Sequence, residues 1–354
     1  MELETKQTQR ILLFDVLKVL AMFGVIMIHV SAMYMPDQAN TTLSFQIGNL
    51  MNSFTRCSVP IFFMVSGALL LNEDKSFTMH KMFRSIGKTL CLLYSWSFIY
   101  TVLLYVLLPI LKHDPLDWPT IIHTFVFGYI HLWYLFALIG IYLVTPILKL
   151  IIKKDNMKYI EWYLLLSMIV IFIIPITNFL IYLFTHQKFL TEYANKFDVT
   201  IFNSYCAYFV LGWYLRNKSF SKKQTKLIFI LGIAGILMTL FGAYFLTGVL
   251  NLGYQKFHSL KTINIFFYSV LVFMLIQKHI HIFEPMRNVI EWLSKRSFGV
   301  YVAHVLVLIV VAKVITISNP VVSLLVVFSV TAALSILVSF VMGKLPIIKK
   351  LTKF

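Results

Sequence analysis

Apolar runs of about twenty residues recur from one end of this chain to the other, and they constrain its fold more than any other feature. A helix needs about 20 such residues to cross the hydrocarbon core of a bilayer. Of the 354 residues, 59% are hydrophobic and only 13% are charged, about half the charged fraction of a soluble domain. These runs predict an all-α polytopic membrane protein, with one integral-membrane domain over residues 1–354 and no soluble extracytoplasmic domain.

About ten transmembrane helices are predicted from the apolar runs. They cover roughly 11–34, 46–71, 88–111, 121–149, 159–184, 199–215, 227–250, 262–282, 298–317 and 321–343. The fourth stretch is too long for a single crossing. Its first part, TIIHTFVFGYI, is expected to lie in the interface or to re-enter the membrane, so that the crossing itself starts near His131. No cleavage site follows the first run, which is therefore expected to remain as a span.

Lys and Arg are distributed unevenly between the two sides of such a bundle. If the N-terminus is cytoplasmic, 23 of them lie in cytoplasmic segments, 5 in outer loops, and Lys18, Arg56 and Lys313 inside spans. Because positive residues accumulate on the cytoplasmic side, both termini are predicted to be cytoplasmic. The same rule accounts for the net charge of +17. No nucleic-acid module is visible, and no nucleic-acid partner is expected.

Two kinds of site are disfavoured by the residue types present. Cys57, Cys91 and Cys206 are scattered without CxxC or Cys/His spacing, so neither a disulfide framework nor a metal site is expected. Acidic residues are nearly absent from the spans, with Asp15 the one firm case and Glu161 at a mouth. A carboxylate proton relay of the kind found in pumps therefore lacks its parts.

The first span, RILLFDVLKVLAMFGVIMIH, carries ionisable residues that hydrocarbon would penalise. Lys18 and His29 are eleven residues apart, which places them on one helix face about 16 Å apart along the axis. Asp15 lies one turn below Lys18. This polar stripe is expected to face protein or a water-filled cavity. The alternatives are that Lys18 snorkels to the membrane surface and that His29 is an interfacial histidine.

The second span, NSFTRCSVPIFFMVSGALLL, places Arg56 about ten residues in from its outer end. An arginine at that depth stays charged and needs an anion, carbonyl groups or water inside the bundle. Pro60 is expected to free a carbonyl and kink the helix. Ser66 and Gly67 are small and permit close approach of another helix or of a ligand. The alternative for Arg56 is a packing role, with its guanidinium tied to carbonyls.

Three further residues have both a functional and a structural interpretation. His131 and Trp133, in HLWYLFALIGIYLVTP, are expected at the outer interface, where such aromatic residues are belt anchors more often than ligand contacts. His304, in SFGVYVAH, is expected in the inner third of the ninth span. A histidine hydrogen-bonded to a neighbouring helix is its structural interpretation.

Taken in order, these fragments resemble the acyltransferase-3 family of membrane acyltransferases over nearly the whole chain. The first signature is a basic residue, ten residues and a histidine, here Lys18 and His29, although most relatives have Arg at the first position. SVPIFFMVSG resembles the second-span motif, and KMFR resembles the paired basic residues that follow it, with Lys81 in place of the usual first Arg. HLWYL, YFVLGWYL and SFGVYVAH resemble later landmarks of the family.

The resemblance implies an O-acyltransferase of the bacterial inner membrane. It would take an acyl group, with acetyl expected first, from cytoplasmic acyl-CoA as co-substrate and place it on a hydroxyl of a glycan or lipid-linked sugar at the outer face. No permanently bound cofactor and no metal are expected. Besides acyl-CoA, the implied partners are the saccharide acceptor, membrane lipids and, for handing on the acceptor, a glycan-assembly protein.

The resemblance also suggests roles for the residues singled out above. A basic cluster would bind the phosphates of CoA, with Ser66 close to the ligand; the cluster comprises Arg10, Lys81, Arg84 and Lys88. His29 would take the proton of the attacking hydroxyl. Lys18 or Arg56 would steady the thioester oxygen or the CoA arm, and both assignments stay open. His131 and Trp133 would lie on the acceptor side.

Two other classes of function are compatible with a polytopic chain. A glycan exporter or flippase needs a wide passage and no thioester chemistry. The sequence shows no internal repeat and no pair of matching broken helices, which argues against a transporter built from inverted repeats. A non-catalytic sensor or assembly module would have no evident use for charged groups inside its spans.

Overall fold

The computed structural model describes residues 2–35, 42–74, 76–185, 196, 205–248 and 257–344, without the side chains of 2–11, 178, 179, 182–185 and 246–248. All regular elements in these ranges are helical, which confirms the all-α prediction for them. They are α1 (Glu2–Ala32), α2 (Leu43–Thr55), α3 (Ser58–Leu70), α4 (Met79–Thr101), α5 (Leu108–Lys112), α6 (Trp118–Phe127), α7 (Trp133–Ile151), α8 (Met157–Met168), α9 (Ile174–Thr185), α10 (Cys206–Asn217), α11 (Lys222–Gly248), α12 (Ile263–Lys278), α13 (Arg287–Ser294), α14 (Ser297–Val314) and α15 (Pro320–Met342).

Short segments of different helical pitch connect several of these helices. The π-helical segment Val102–Leu107 joins α4 to α5, and Ile169–Ile173 joins α8 to α9. The 3-10 segments Lys154–Asn156 and Ile280–Met286 precede α8 and α13. The π segments continue their helices with a local change of pitch, so that α4–α5 and α8–α9 each follow one path.

Eight stretches of the described chain are long and apolar enough to cross a membrane, or nine if a bent pair counts as one span. The bent pair is Ile263–Lys278 with Ile280–Ser294, which meet at 65°. The predicted eighth span, 262–282, therefore ends earlier, at Lys278. The predicted sixth span, 199–215, lies partly outside the described residues, and the described part of it belongs to α10, which has 12 residues.

The predicted fourth span consists of two separate helices. Asp117 caps α6, because its carboxylate accepts a hydrogen bond from the Thr120 amide at 3.4 Å. Gly128 follows the end of this helix with φ of 78°, a backbone conformation that favours glycine. The chain then turns, and α7 begins at Trp133.

The second span is interrupted between α2 and α3, close to Pro60. Proline has no amide proton to donate to the carbonyl four residues earlier, which here belongs to Arg56. Two carbonyls next to the break are bound by side chains. Phe54 accepts from the Tyr268 hydroxyl at 2.5 Å, and Thr55 accepts from the Ser58 hydroxyl at 2.6 Å.

The helix α3 packs directly against α10 through two glycines. A Cβ atom on Gly67 would lie 1.7 Å from the carbonyl oxygen of Phe209, and one on Gly212 would lie 1.8 Å from the carbonyl oxygen of Met64. Small residues at such positions let two membrane helices approach at backbone distance. On its other side, α3 contacts α1, where a Cβ on Gly24 would lie 1.9 Å from the Ser58 hydroxyl oxygen. These contacts fix α3 beside α1, and both helices contribute to the cavity described next.

Candidate active site

A cavity of about 790 Å³ lies inside the bundle between α1, α3, α4, α7, α13 and α14. Its wall includes basic residues at the start of α4 and, at the other extreme, His29 near the end of α1. We call the first region the basic end and the second the histidine end. The volume falls within the range of about 300–1,000 Å³ that is usual for small-molecule sites.

Lysine and arginine side chains crowd the basic end. Lys81, Arg84 and Lys88 lie on one face of α4 at spacings of three and four residues, and Lys295, in the turn after α13, lines the same cavity. Lys81 donates to the hydroxyl and carbonyl oxygens of Ser76 at 2.9 and 3.0 Å. Lys81 and Arg84 are exposed, so a dissolved anion has access to them.

Asp15 and Lys18 line the cavity wall near the basic end. The Ser294 hydroxyl donates to the Asp15 carboxylate at 2.6 Å, which ties α13 to α1. Lys18 is half-buried and faces the cavity rather than lipid. Both Lys18 and His29 line the cavity, on the face of α1 that their eleven-residue spacing predicts.

Three histidines from separate segments meet at the histidine end, and we call them the histidine cluster. The ring centre of His29 lies 5.1 Å from that of His304 and 6.3 Å from that of His131. The rings of His131 and His304 are 5.3 Å apart. No group of three His, Cys, Asp or Glu side chains in the described chain has the arrangement that holds a metal ion.

Backbone carbonyls fix two members of the histidine cluster. His304 Nδ1 bonds to the Tyr301 carbonyl oxygen at 2.6 Å, and His131 Nε2 bonds to the Val302 carbonyl oxygen at 3.3 Å. A carbonyl only accepts, so the bonded nitrogen of each ring carries the proton. In the neutral tautomer the other nitrogen of each ring is then an acceptor. Those two atoms, His131 Nδ1 and His304 Nε2, are buried and have no hydrogen-bond partner among the described residues.

The structure gives the positions of His131 and His304 within the bundle. His131 is 3% exposed and lines the cavity, so it does not anchor the protein in the lipid interface. The sequence predicts His304 in the inner third of the ninth span, and the structure places its ring centre 5.1 Å from that of His29. The bond from Ser294 to Asp15 ties the residue just before α14 to the first span.

Tyrosines that the sequence analysis did not single out surround the histidine cluster. The Tyr301 hydroxyl donates to the His131 carbonyl at 2.5 Å, and the Tyr100 hydroxyl donates to the Val302 carbonyl at 3.1 Å. Tyr134 shares a hydrogen bond with Ser66. Two of these tyrosines lie within the quoted fragments HLWYL and SFGVYVAH, and the spacing of three residues from Tyr301 to His304 was a usable signal for a shared helix face.

Arg56 does not line this cavity, unlike the other candidate for contact with the thioester, Lys18. Its Nε donates to the Asn52 side-chain oxygen at 2.6 Å. The Asn52 amide in turn donates to the Ile28 carbonyl at 3.0 Å and to the Ser31 hydroxyl at 2.7 Å. Arg56 is also close enough to interact electrostatically with His29. This network therefore supports the end of α1 that carries His29.

The remaining candidate residues have these positions. Ser66 and Trp133 line the cavity, and the Trp133 ring centre lies 5.2 Å from that of Tyr205. Arg10 belongs to α1 but lies outside the residues whose side chains the structure describes. The cavity thus brings together Lys18, His29, Ser66, Lys81, Arg84, Lys88, His131 and Trp133.

A helical membrane bundle with an internal cavity that runs from a basic end to a histidine cluster defines an integral-membrane protein with a chemical site inside the bundle. The chain belongs to the acyltransferase-3 family, because the model of this family, described as an acyltransferase domain, matches residues 11–343. The resemblance inferred from the sequence fragments is confirmed at the level of the family. The protein is therefore a membrane acyltransferase. No curated protein and no solved structure matches the chain.

Proposed function

We propose that the protein is an O-acyltransferase of the bacterial inner membrane. It moves an acyl group, which we propose is acetyl, from cytoplasmic acyl-CoA to a hydroxyl at the outer face. The acceptor is a cell-surface glycan or a lipid-linked sugar. The observation that carries this proposal is the continuity of one cavity from the basic end to His29. A transferase of this kind needs a donor site, an acceptor site and a polar path that joins them.

The basic end is the proposed site for the phosphates of CoA. CoA carries a pyrophosphate and a 3′-phosphate, and Lys81, Arg84, Lys88 and Lys295 offer four cations to them. Arg84 suits phosphate through its two-pronged guanidinium, whereas lysines act as point charges. On this assignment the basic end faces the cytoplasm, in agreement with the distribution of Lys and Arg along the chain.

The pantetheine arm would occupy the length of the cavity. Lys18 lies about 16 Å further from the histidine end than His29, measured along α1, so its ammonium contacts the arm and not a thioester held at His29. The arm would pass between α1 and α3, past Val25, Phe62 and Val65, whose apolar side chains line the wall. Arg56 then supports His29 from outside the cavity instead of touching the thioester.

The proposed reaction is a direct transfer at His29. A neutral imidazole accepts the proton of the acceptor hydroxyl as its oxygen attacks the thioester carbonyl. The carbon–oxygen bond of the ester forms and the carbon–sulfur bond breaks. The proton passes from His29 to the departing CoA thiolate, which restores the neutral ring. His131 and Trp133 also line the cavity, and we assign them to the acceptor side.

The acceptor class is proposed by analogy within the family. We take as the first model the family member that O-acetylates enterobacterial common antigen, which residues 52–67 and 131–146 resemble in sequence. This similarity makes acetyl and a cell-surface sugar the first pair to test.

The test combines a reconstituted assay with analysis of the cell surface. Purified protein in lipid nanodiscs should release CoA from acetyl-CoA only when a saccharide acceptor is present. Glycans from a deletion strain, examined by mass spectrometry, should lack one acetyl substituent that the wild-type gene restores. Loss of glycan export in that strain, with no CoA released by the purified protein, would instead indicate an exporter.

A further inference from the structure

We infer that His304 positions His29 for proton transfer by accepting a hydrogen bond from its ring, so that the two histidines act as a pair. This inference rests on the proposed function, because it assigns a partner to the proposed base. A base oriented by a third group is a recurring arrangement at sites where a hydroxyl is activated.

The two rings are at the separation that such a bond requires. Their centres lie 5.1 Å apart, the shortest distance within the histidine cluster. A ring nitrogen lies about 1.1 Å from the ring centre, so an N–H···N bond of about 2.9 Å gives a separation of about 5.1 Å when the nitrogens face each other. The rings are tilted by 55°, and His29 has no hydrogen bond among the described residues that would oppose its rotation.

The acceptor atom on His304 is fixed in place. Its Nδ1 donates to the Tyr301 carbonyl at 2.6 Å, so in the neutral ring Nε2 carries the lone pair. His304 is 0% exposed, and Nε2 has no hydrogen-bond partner among the described residues. A buried acceptor without a partner is costly, and His29 is the proposed donor that satisfies it.

His304 acts through His29 and not on the substrate. It does not line the cavity, whereas His29 does. If one nitrogen of His29 donates to His304, the other nitrogen keeps its lone pair for the acceptor hydroxyl. The same bond stabilises the imidazolium that His29 becomes during transfer. His304 is therefore a positioning residue.

His131 is the rival partner, since its Nδ1 is also buried and without a hydrogen-bond partner in the described chain. Its ring centre is 6.3 Å from that of His29, and the two rings are nearly perpendicular at 83°. That separation is too long for a direct N–H···N bond. The geometry therefore favours His304.

Two substitutions test the donor at Nδ1 and the acceptor at Nε2 of His304 separately. In His304→Asn, the amide nitrogen takes the place of Nδ1 as donor to the Tyr301 carbonyl. The acceptor at the Nε2 position is lost. In His304→Gln, the longer side chain returns an acceptor oxygen close to the Nε2 position. We expect kcat to fall about 100-fold in His304→Asn and to recover to within about tenfold of wild type in His304→Gln. The KM for acyl-CoA should stay unchanged in both.

A second measurement does not depend on turnover. Diethyl pyrocarbonate attacks the free lone pair of an imidazole, and peptide mass spectrometry reports modification at His29 alone. If His304 holds the lone pair of His29 toward the cavity, the rate of modification should fall several-fold in His304→Asn and return in His304→Gln. Thermal unfolding in nanodiscs establishes that each variant is folded.

The outcomes distinguish this inference from the proposed function. If wild type transfers acetyl and His29→Ala does not, but His304→Asn matches wild type in kcat and in His29 modification, the inference about His304 is overturned and the proposed function stands. If wild-type protein transfers nothing from acyl-CoA, the proposed function itself fails. If His304→Asn does not fold, the test uses folded His304→Gln. Complete loss of turnover in His304→Gln would contradict the role of His304 as a hydrogen-bond acceptor.

Discussion

At the scale of single residues, the proposed chemistry depends on His29. It lines the cavity at the histidine end, its ring is half-buried, and its nearest ring neighbours are two other histidines. No carboxylate lines that end of the cavity in the described chain. The proposed base for the acceptor hydroxyl is therefore an imidazole rather than a carboxylate.

The variant His29→Ala should abolish acyl transfer without unfolding the protein. A general base contributes about 10²–10⁴ in rate, and removing a polar group from the interior of a span does not oppose insertion. Release of CoA should be measured at equal amounts of protein in the membrane. Turnover at the wild-type rate would rule out His29 as the base.

Substitutions of Lys18 test whether its charge is used. Lys18→Arg should keep most of the activity, because the cation remains and the substitution restores the residue commoner in the family. Lys18→Met should lose activity, since the apolar stem remains but the charge does not. Asp15 would then lose a neighbouring cation, so Asp15→Asn with Lys18→Met must be assayed as well. Full activity of the double variant would show that the pair is structural.

Arg84→Ala should weaken binding of the donor. Loss of one charge-assisted contact to a phosphate costs about 1.5–3 kcal/mol, which raises the KM for acyl-CoA about ten- to a hundredfold. High ionic strength should reproduce part of this effect in wild type. The matched control is Lys218→Ala, which removes a cation that pairs with Glu161 at 2.8 Å and does not line the cavity. A raised KM for the acceptor, with that for acyl-CoA unchanged, would contradict the assignment of the basic end.

At the scale of helices, the packing of α3 against α10 holds one wall of the cavity. Gly67→Ala would place a methyl group 1.7 Å from a backbone oxygen, which no side-chain rotation relieves. We expect a loss of about 1–3 kcal/mol in stability, read as a lower temperature of thermal unfolding. Gly140→Ala is the control, because nothing lies within 4 Å of its added Cβ. Equal unfolding temperatures for the two variants would show that α3 and α10 can move apart enough to accept the added methyl group.

Helix type and the break near Pro60 were predictable because they follow from local chemistry. Apolar length predicts a membrane helix, and a missing amide proton predicts an interruption. The position of α14, which brings His304 next to His29, was not predictable. It depends on the bond from Ser294 to Asp15, between residues 279 positions apart, and on the 65° bend after Lys278. Neither feature leaves a pattern in the residues of α14 itself.

At the scale of the whole molecule, the cavity joins residues that the sequence could group only in part. Periodicity alone places Lys18 and His29 on one face of α1, whereas the cluster from Lys81 to Lys88 follows from the resemblance to the family. The spacing of Tyr301 and His304 indicates a shared helix face, but not that this face lies beside His29 and His131, which depends on packing between distant helices. Arg56 is the converse case. The family resemblance suggested that it contacts the thioester or the CoA arm, whereas it does not line the cavity and donates to the Asn52 side chain.

The orientation of the cavity gives a prediction about sidedness. If the basic end faces the cytoplasm, sealed inside-out vesicles should consume added acetyl-CoA without permeabilisation, and right-side-out vesicles should not. CoA is highly charged and does not cross a bilayer unaided, so the two preparations separate the cases. Consumption by right-side-out vesicles alone would reverse the proposed topology.

The position of α1 at the centre of the bundle has a consequence for biosynthesis. Its apolar part is 72% buried, the highest share among the eight candidate spans, and it packs against α13, α14 and α15. In the order of synthesis, α1 precedes those three helices. Until they are made, Asp15 lacks its bond to Ser294 and His29 lacks its neighbour His304. We expect water at the translocon, or an assembly factor beside it, to shelter these polar groups until those helices are in place.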